Sequence, residues 1–321
     1  MDKKTALVDT VKGNFSDELI RNISEIIDPK QIDVVISNHA EMDHSGGLPH
    51  LMHLIGEDKP LYCSHMGKLN LSKHFSNDWN YNVVRDGETI DLGNRKLTFI
   101  EAKMFHWPDS MFTYLNEDNI LFSSDGFGQH YANFERFEDA FPGKVMIQAK
   151  KYFANILLPY SARIIEVLEK IAKMKLKINI ICPDHGVIWR KNYQKIIDKY
   201  IEWSKQENRT KSLVVYDTMW NSTKLMAECI ASGLNQVGVE AQPMSMQTSH
   251  RSDVMTKVLD AGAIIIGSST LNNQVLPTIA DMLTYMKGLK PKRKLAAAFG
   301  SYGWSGESVK YITNELKSMG G

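Results

Sequence analysis

The last third of the chain repeats one unit four times, and that repetition limits the folds open to it. Apolar, β-branched runs alternate with amphipathic stretches. They pair as Leu213–Tyr216 with Ser222–Leu234, Val239–Met244 with Ser252–Asp260, Ala263–Gly267 with Leu276–Met286, and Lys294–Phe299 with Glu307–Lys317. Four consecutive strand–helix units predict a doubly wound parallel sheet. The first part has a less regular rhythm. Strands are expected at Thr5–Val8, Asp33–Ser37, Leu61–Ser64, Lys96–Ala102, Met111–Leu115, Ile120–Ser123 and Lys177–Cys182. Helices are expected at Ser16–Ile27 with Ser16 as N-cap, through most of Val145–Lys173, and at Tyr193–Gln206. The polar turn Glu117–Asn119 joins two of the strands as a hairpin. A polar stretch, Ser204–Lys211, reads as a linker, which divides the 321 residues into domains at 1–208 and 209–321.

Charge and cysteine usage remove several function classes. The 38 basic and 37 acidic residues cancel, so no global field favours nucleic acid or an anionic membrane. The longest apolar runs, Ala263–Ile266 and Ile178–Cys182, fall far short of the ~20 residues a membrane helix needs. Cys63, Cys182 and Cys229 are isolated from one another, so no cysteine-rich metal site is encoded. Such sparse thiols fit a reducing compartment, and a start without a signal-peptide core makes the cytoplasm the expected location.

The chemistry concentrates in a few loops. Directly after the strand at Asp33–Ser37, the loop Asn38–Gly47 places His39, Glu41, Asp43 and His44 within six residues. A core has no packing use for these four together, and their desolvation is costly without a cation or partner. Three further candidates stand at other strand ends: His106 in Phe105–Ser110, Asp125 after Leu121–Ser124, and His185 before Gly186. Seven such ligands suffice for two metals that share one carboxylate. His50, His53, His65 and His74 lie in or near helices and are read as ordinary surface or core residues, and Cys182 as a structural thiol. Trp107 and Tyr131 are candidates for shaping a pocket.

The second domain carries a different loop set. Thr218, Met219, Trp220, Asn221, Ser222 and Thr223 follow the first strand and open a helix, where hydroxyls and free N–H groups would cradle a phosphate. The cradle has no basic residue, which suits a buried phosphomonoester held by neutral donors. Ser269, Thr270, Leu271, Asn272 and Asn273 follow the third strand. Ser301, Tyr302, Gly303, Trp304, Ser305 and Gly306 follow the fourth. Ligands of open α/β sheets bind at such carboxyl-terminal loops, and Tyr302 or Trp304 could lie against a flat aromatic ligand.

The ligand pattern resembles the HxHxDH signature of the metallo-β-lactamase superfamily, with Glu41 in place of the second histidine. That HxExDH form is similar to the flavodiiron proteins, as are the strings NHAEMDHSGG, FHWPDSM, LFSSDGFG and PDHGVIW. A hard carboxylate oxygen suits iron better than a histidine-rich zinc site does. The resemblance implies a metallo-β-lactamase-like αββα sandwich followed by a flavodoxin-like FMN domain. It implies one iron on His39, Glu41, His106 and Asp125, and another on Asp43, His44, Asp125 and His185. The implied activity is reduction of O2 to water or of NO to N2O, in a head-to-tail homodimer. With no cysteine pairs for a rubredoxin-like domain, electrons are expected from a separate rubredoxin, flavoprotein or reduced deazaflavin. The family's first domain has strands before Thr5–Val8 and its second a fifth strand, so the chain is expected to be truncated at both ends. Two other readings stand beside this one: a zinc-dependent hydrolase, and an FMN electron carrier with an inactive metal domain.

Overall fold

The computed structural model describes residues 2–207 and 209–320, in three sheets. In the first, β1 (Thr5–Val8), β2 (Ile32–Ser37), β3 (Leu61–Cys63) and β4 (Tyr81–Val83) run parallel in that order. The second holds β5 (Thr89–Asp91), β6 (Lys96–Glu101), β7 (Met111–Leu115), β8 (Ile120–Ser124) and β9 (Ile180–Pro183). It is antiparallel up to β8 and parallel between β8 and β9. The third is wholly parallel, with β10 (Lys211–Asp217), β11 (Glu240–Ser245), β12 (Ala263–Ser269) and β13 (Leu295–Ser301) in the order β11-β10-β12-β13. The helices are α1 (Ser16–Ser24), α2 (Met42–Ser45), α3 (Leu48–Ile55), α4 (His65–His74), α5 (Pro142–Tyr152) and α6 (Ser161–Lys173). They continue with α7 (Tyr193–Lys205), α8 (Ser222–Gln236), α9 (Arg251–Val258), α10 (Pro277–Leu289) and α11 (Glu307–Ser318).

The chain forms two compact units, Met1–Ala149 with Ala162–Asp198, and Lys150–Ser161 with Lys199–Gly321. The division expected at 208 falls on Asn208, outside the described residues.

The first unit is a layered αββα sandwich built around β2. Successive strand side chains point to opposite faces. Val34 and Ile36 therefore join Leu97, Phe99 and Met111 of the second sheet in one buried cluster. Val35 faces the other way, into a cluster with Leu48, Leu51 and Met52 of α3. Burial on both faces is why β2 reads as a continuous apolar run. On α6, Ile164, Val167, Leu168 and Ile171 form one buried stripe at helical spacing. The adjacent Lys170 ammonium donates to Glu101 O at the end of β6.

Several boundaries differ from expectation, each for a local reason. Ser16 is the first residue of α1 and not its cap, and its hydroxyl donates back to Gly13 O at 2.7 Å. That helix stops at Ser24. The helical stretch before Lys173 is interrupted by a π-turn at Phe153–Leu157 and a 3-10 turn at Leu158–Tyr160, where Pro159 removes an N–H. β9 starts at Ile180, because Lys177 O is taken by the Tyr114 hydroxyl at 2.6 Å. The expected linker is bounded by regular elements. Ser204 and Lys205 end α7, Lys211 begins β10, and the buried Gln206 amide accepts from Lys292 N at 2.7 Å.

Glu138 is fully buried and holds the segment that follows β9. Its Oε2 accepts from Arg190 N at 3.0 Å, and its Oε1 from Lys191 N at 2.9 Å and Asn192 N at 2.7 Å. Three backbone donors thus stabilise one desolvated carboxylate.

In the second unit, α8 lays the small buried residues Thr223, Ala227 and Ala231 against the sheet, which lets the helix approach closely. The chain steps from β10 outward to β11, then back across to β12. The crevice at the carboxyl ends of β10 and β12 is the switch point where such folds bind ligands.

Candidate functional site

The metal-ligand candidates converge although they come from four separated stretches. β6, β8 and β9 run in the same direction, so His106, Asp125 and His185 leave the same end of the second sheet. His39 and Glu41 leave the end of β2, and Asp43 and His44 ride on the short α2. The side chains sort into two groups, His39, Glu41, His106 and Asp125, and Asp43, His44 and His185, each compact enough to hold one ion.

Asp125 joins the groups. Its Oδ2 lies 3.3 Å from His39 Nε2 and 3.4 Å from His106 Nε2. Its Oδ1 lies 3.3 Å from His44 Nε2 and 3.1 Å from His185 Nε2. One oxygen faces each group, which is the geometry of a bridging carboxylate. Glu41 Oε2 stands 3.2 Å from His39 Nε2 and 3.3 Å from His106 Nε2, and Asp43 Oδ2 stands 3.4 Å from His185 Nε2.

Two further carboxylates orient the imidazoles. His39 Nδ1–H donates to Asp109 Oδ2 at 3.1 Å, and Asp109 is itself held by Ala40 N at 2.7 Å and Asn70 Nδ2 at 3.1 Å. His44 Nδ1–H donates to Asp184 Oδ2 at 3.0 Å. Each bond fixes the ring so that Nε2 points inward. Asp109 and Asp184 were not singled out from sequence, although they stand three residues after His106 and directly before His185. Asp109→Asn is expected to weaken metal binding about 10–100-fold, the usual cost of losing an outer-shell partner. Titration of the metal-free protein with ferrous iron measures it.

The local field favours cations. Burial opposes charge on His44, yet its hydrogen bonds to Asp125 and Asp184 push it up to about 12. His106 and His185 are likewise raised to about 9 by Asp125 together with Glu41 and Asp43, against the cost of burial. Hydrogen bonds from His106 and His39 hold Glu41 down to about 2. Burial would raise Asp125, but His106, His185 and His44 keep it well below the usual carboxylate range. The buried Asp43 Oδ1 has no hydrogen-bond partner within the chain. An unpartnered buried acceptor is costly, and a divalent cation would satisfy it. The donor set therefore fits two metal ions.

Other residues fall around this cluster as follows. Trp107 packs edge-on against His39, with ring centroids 5.1 Å apart. Tyr131 bonds through its backbone N–H to Gln129 O at 2.9 Å, on the loop beyond the cluster. His130 stacks edge-on to His185 at 5.3 Å, a neighbour the sequence had not assigned. Met42 lies half-exposed between the ligands Glu41 and Asp43. His50, His53, His65 and His74 sit on α3 and α4, outside both groups. Burial pushes the Cys182 thiol up to about 11 and Cys63 up to about 12, so neither is a thiolate at neutral pH.

The second unit gathers its three loops around one cavity of about 370 Å³. Met219, Trp220 and Ser222 line it, with the residues from Ser269 to Asn273 and from Ser301 to Ser305. Beneath it the Thr223 hydroxyl meets those of Ser269 at 3.0 Å and Ser301 at 2.8 Å, locking the three loops together. Asn221 takes a left-handed conformation as the cap of α8, and Gly306 caps α11. A Cβ at Gly306 would come within 2.8 Å of the Tyr302 ring, so glycine is needed for that ring's placement. Two observations make this cavity fit a flavin mononucleotide. The Thr218 hydroxyl, directly before the lining residue Met219, is buried without a hydrogen-bond partner, and a phosphate oxygen within reach would satisfy it. Trp220, Tyr302 and Trp304 stand 84%, 63% and 91% exposed at the rim, which a flat apolar ring would cover. Thr218→Val is expected to weaken FMN binding about tenfold, the loss of one bond to a charged group. Fluorescence titration of the apoprotein with FMN tests this.

Comparisons with known proteins cover both units. Residues 1–186 match the family described as ODP family beta lactamase, and residues 214–321 match the flavodoxin family. The chain is 44% identical to the nitric oxide reductase of Moorella thermoacetica, over 99% of this chain and 80% of that protein. It is similar to the solved rubredoxin oxygen:oxidoreductase of Desulfovibrio gigas, with a TM-score of 0.97 and 40% identity over 100% of this chain and 80% of that one. The solved flavodiiron protein of Giardia intestinalis gives a TM-score of 0.94 and 36% identity, over 99% of this chain and 78% of that one.

Proposed function

The chain belongs to the flavodiiron protein family, and on that premise we propose that it is an oxidoreductase carrying electrons from an external donor through FMN to a di-iron centre that reduces O2 to water or NO to N2O. The observation that carries the reading is Asp125, with one oxygen turned to each of two ligand groups. When bound, FMN would take electron pairs and release them singly, and a ferrous pair would deliver electrons to a diatomic ligand. The side chains supply the rest. His39, Glu41 and His106 would hold one ion, Asp43, His44 and His185 the other, and Asp125 would contribute to both. Asp109 and Asp184 fix the rings, and Trp107 shields one side of His39 from water. In the second unit Thr218, Ser222 and the start of α8 would take the phosphate, while Trp220, Tyr302 and Trp304 would flank the ring.

The partners follow from the same reading. The donor is a separate rubredoxin, flavoprotein or reduced deazaflavin. The protein works as a head-to-tail homodimer that sets the flavin of one copy beside the metals of the other. Single, unpaired cysteines support a cytoplasmic setting. No helix among the described residues is long and apolar enough to cross a membrane. A zinc hydrolase would leave the flavin cavity without a purpose, and a bare flavin carrier would leave the seven converged ligands without one.

Iron and FMN analysis of purified protein should give two irons and one flavin per chain. Supplied with a competent reductant, that protein should consume O2 aerobically or NO anaerobically. Fully loaded protein that consumes neither gas refutes the proposal.

A further inference from the structure

Gln129 is fully buried, belongs to neither candidate ion group, and has no part in the chemistry proposed above. Yet three of its hydrogen bonds tie the loop after Asp125 to the loop carrying His185. Its backbone N–H donates to His185 O at 3.1 Å. Its side-chain Oε1 accepts from Val187 N at 2.7 Å, and its Nε2 donates to Val187 O at 3.1 Å and to Phe127 O at 3.3 Å. The amide thus imitates a strand partner for Val187, while the main chain holds His185 on the other side of Gly186.

The packing at Gly186 shows how tight this clamp is. Gly186 has φ +87°, and a Cβ there would fall 1.8 Å from Gln129 Oε1 and 2.4 Å from Gln129 O. No side chain separates the two loops, so any movement of Gln129 passes directly to His185. At its other end Gln129 stands four residues after Asp125, across a turn closed by Gly128 N and Asp125 O at 3.1 Å. Gln129 therefore spans the two ligands that meet at 3.1 Å, Asp125 Oδ1 and His185 Nε2.

We propose that Gln129 is a positioning residue that sets His185 against Asp125, and so governs the ion held by Asp43, His44 and His185 without governing the ion held by His39, Glu41 and His106. This rests on the two-ion reading of the site. A glutamine is suited to the task because its planar amide offers a donor and an acceptor at the spacing of a peptide group, which neither a carboxylate nor an apolar side chain does.

The test is Gln129→Met, which keeps volume and removes every side-chain hydrogen bond. Purified holoprotein and variant are compared by iron per chain, by the rate at which a chelator removes each iron, and by the spectroscopic signature of the coupled iron pair. The expected result is one iron released at the unaltered rate and the other about tenfold faster or more, with the coupled signature lost and FMN content unchanged. Trp189→Phe is the control for a merely structural role. It removes the bond from Trp189 Nε1 to Phe127 O at 2.9 Å, so it loosens the same region without touching His185 or Val187, and it should keep both irons. Two slowly released irons in Gln129→Met overturn the proposal, and so does equal loss of both irons in the two variants. If Gln129→Met does not fold, Gln129→Glu, which keeps the bond from Val187 N, is read by the same criteria. Unsubstituted protein that binds no iron sinks the two-ion reading itself, a result distinct from any of these.

Discussion

Asp125→Asn should leave the protein folded, flavin-loaded and inactive. The amide keeps the side-chain volume but cannot offer one anionic oxygen to each ion, so both groups lose a ligand at once. Turnover of O2 or NO is expected to fall on the order of a thousandfold, more than for loss of an outer-shell partner. Iron content should drop below one per chain, while FMN should be retained, because the cradle is built from β10, β12 and β13 of the other unit. The metal-free protein should also lose stability. His39, His44, His106 and His185 all lie within 3.4 Å of this one carboxylate, and removing the anion leaves buried positive charge uncompensated. Breaking such a buried arrangement costs about 3–5 kcal/mol. Iron analysis, flavin absorbance and chemical denaturation of the one variant separate these effects. A variant that keeps two irons would show that Asp125 does not bridge.

Glu138→Leu should be the most destabilising substitution away from the ligands. Leucine would leave the N–H groups of Arg190, Lys191 and Asn192 without the carboxylate that accepts from them. Unsatisfied buried donors cost about 1–3 kcal/mol each, partly relieved where water can reach them, so a loss of about 3–5 kcal/mol is expected. Urea denaturation followed by circular dichroism measures the stability. A change under about 1 kcal/mol would mean that the carboxylate is not what holds this segment.

Much of this was legible in one dimension. The HxExDH spacing places four ligands on six consecutive residues, and a strand end followed by a short helix can aim them only toward one region. His106, Asp125 and His185 were readable because each ends or follows a strand. The flavin loops were readable for the same reason. Asp109, Asp184 and Gln129 were not, because an aspartate or glutamine in a loop is ordinary in sequence. Each acquires its role only from what lies beside it. The N-cap assignment of Ser16 failed because the preceding 3-10 turn, Gly13–Phe15, claims its hydroxyl. The polarity of Ser204–Lys211 did not reveal that Gln206 is buried and bonded.

The amino-acid order by itself determined which atoms could bind metal and flavin, since ligand identity and strand-end placement are local properties of the chain. Tertiary structure decided that the two Asp125 oxygens face different imidazole groups, that carboxylates far away in the chain orient those rings, and that one buried amide clamps the His185 loop. The physical reason is range. Periodicity and turn chemistry act over a few residues, whereas the contacts of His44 with Asp184 or of Gln129 with Val187 join positions 140 and 58 residues apart, and only the packed sheets bring them together.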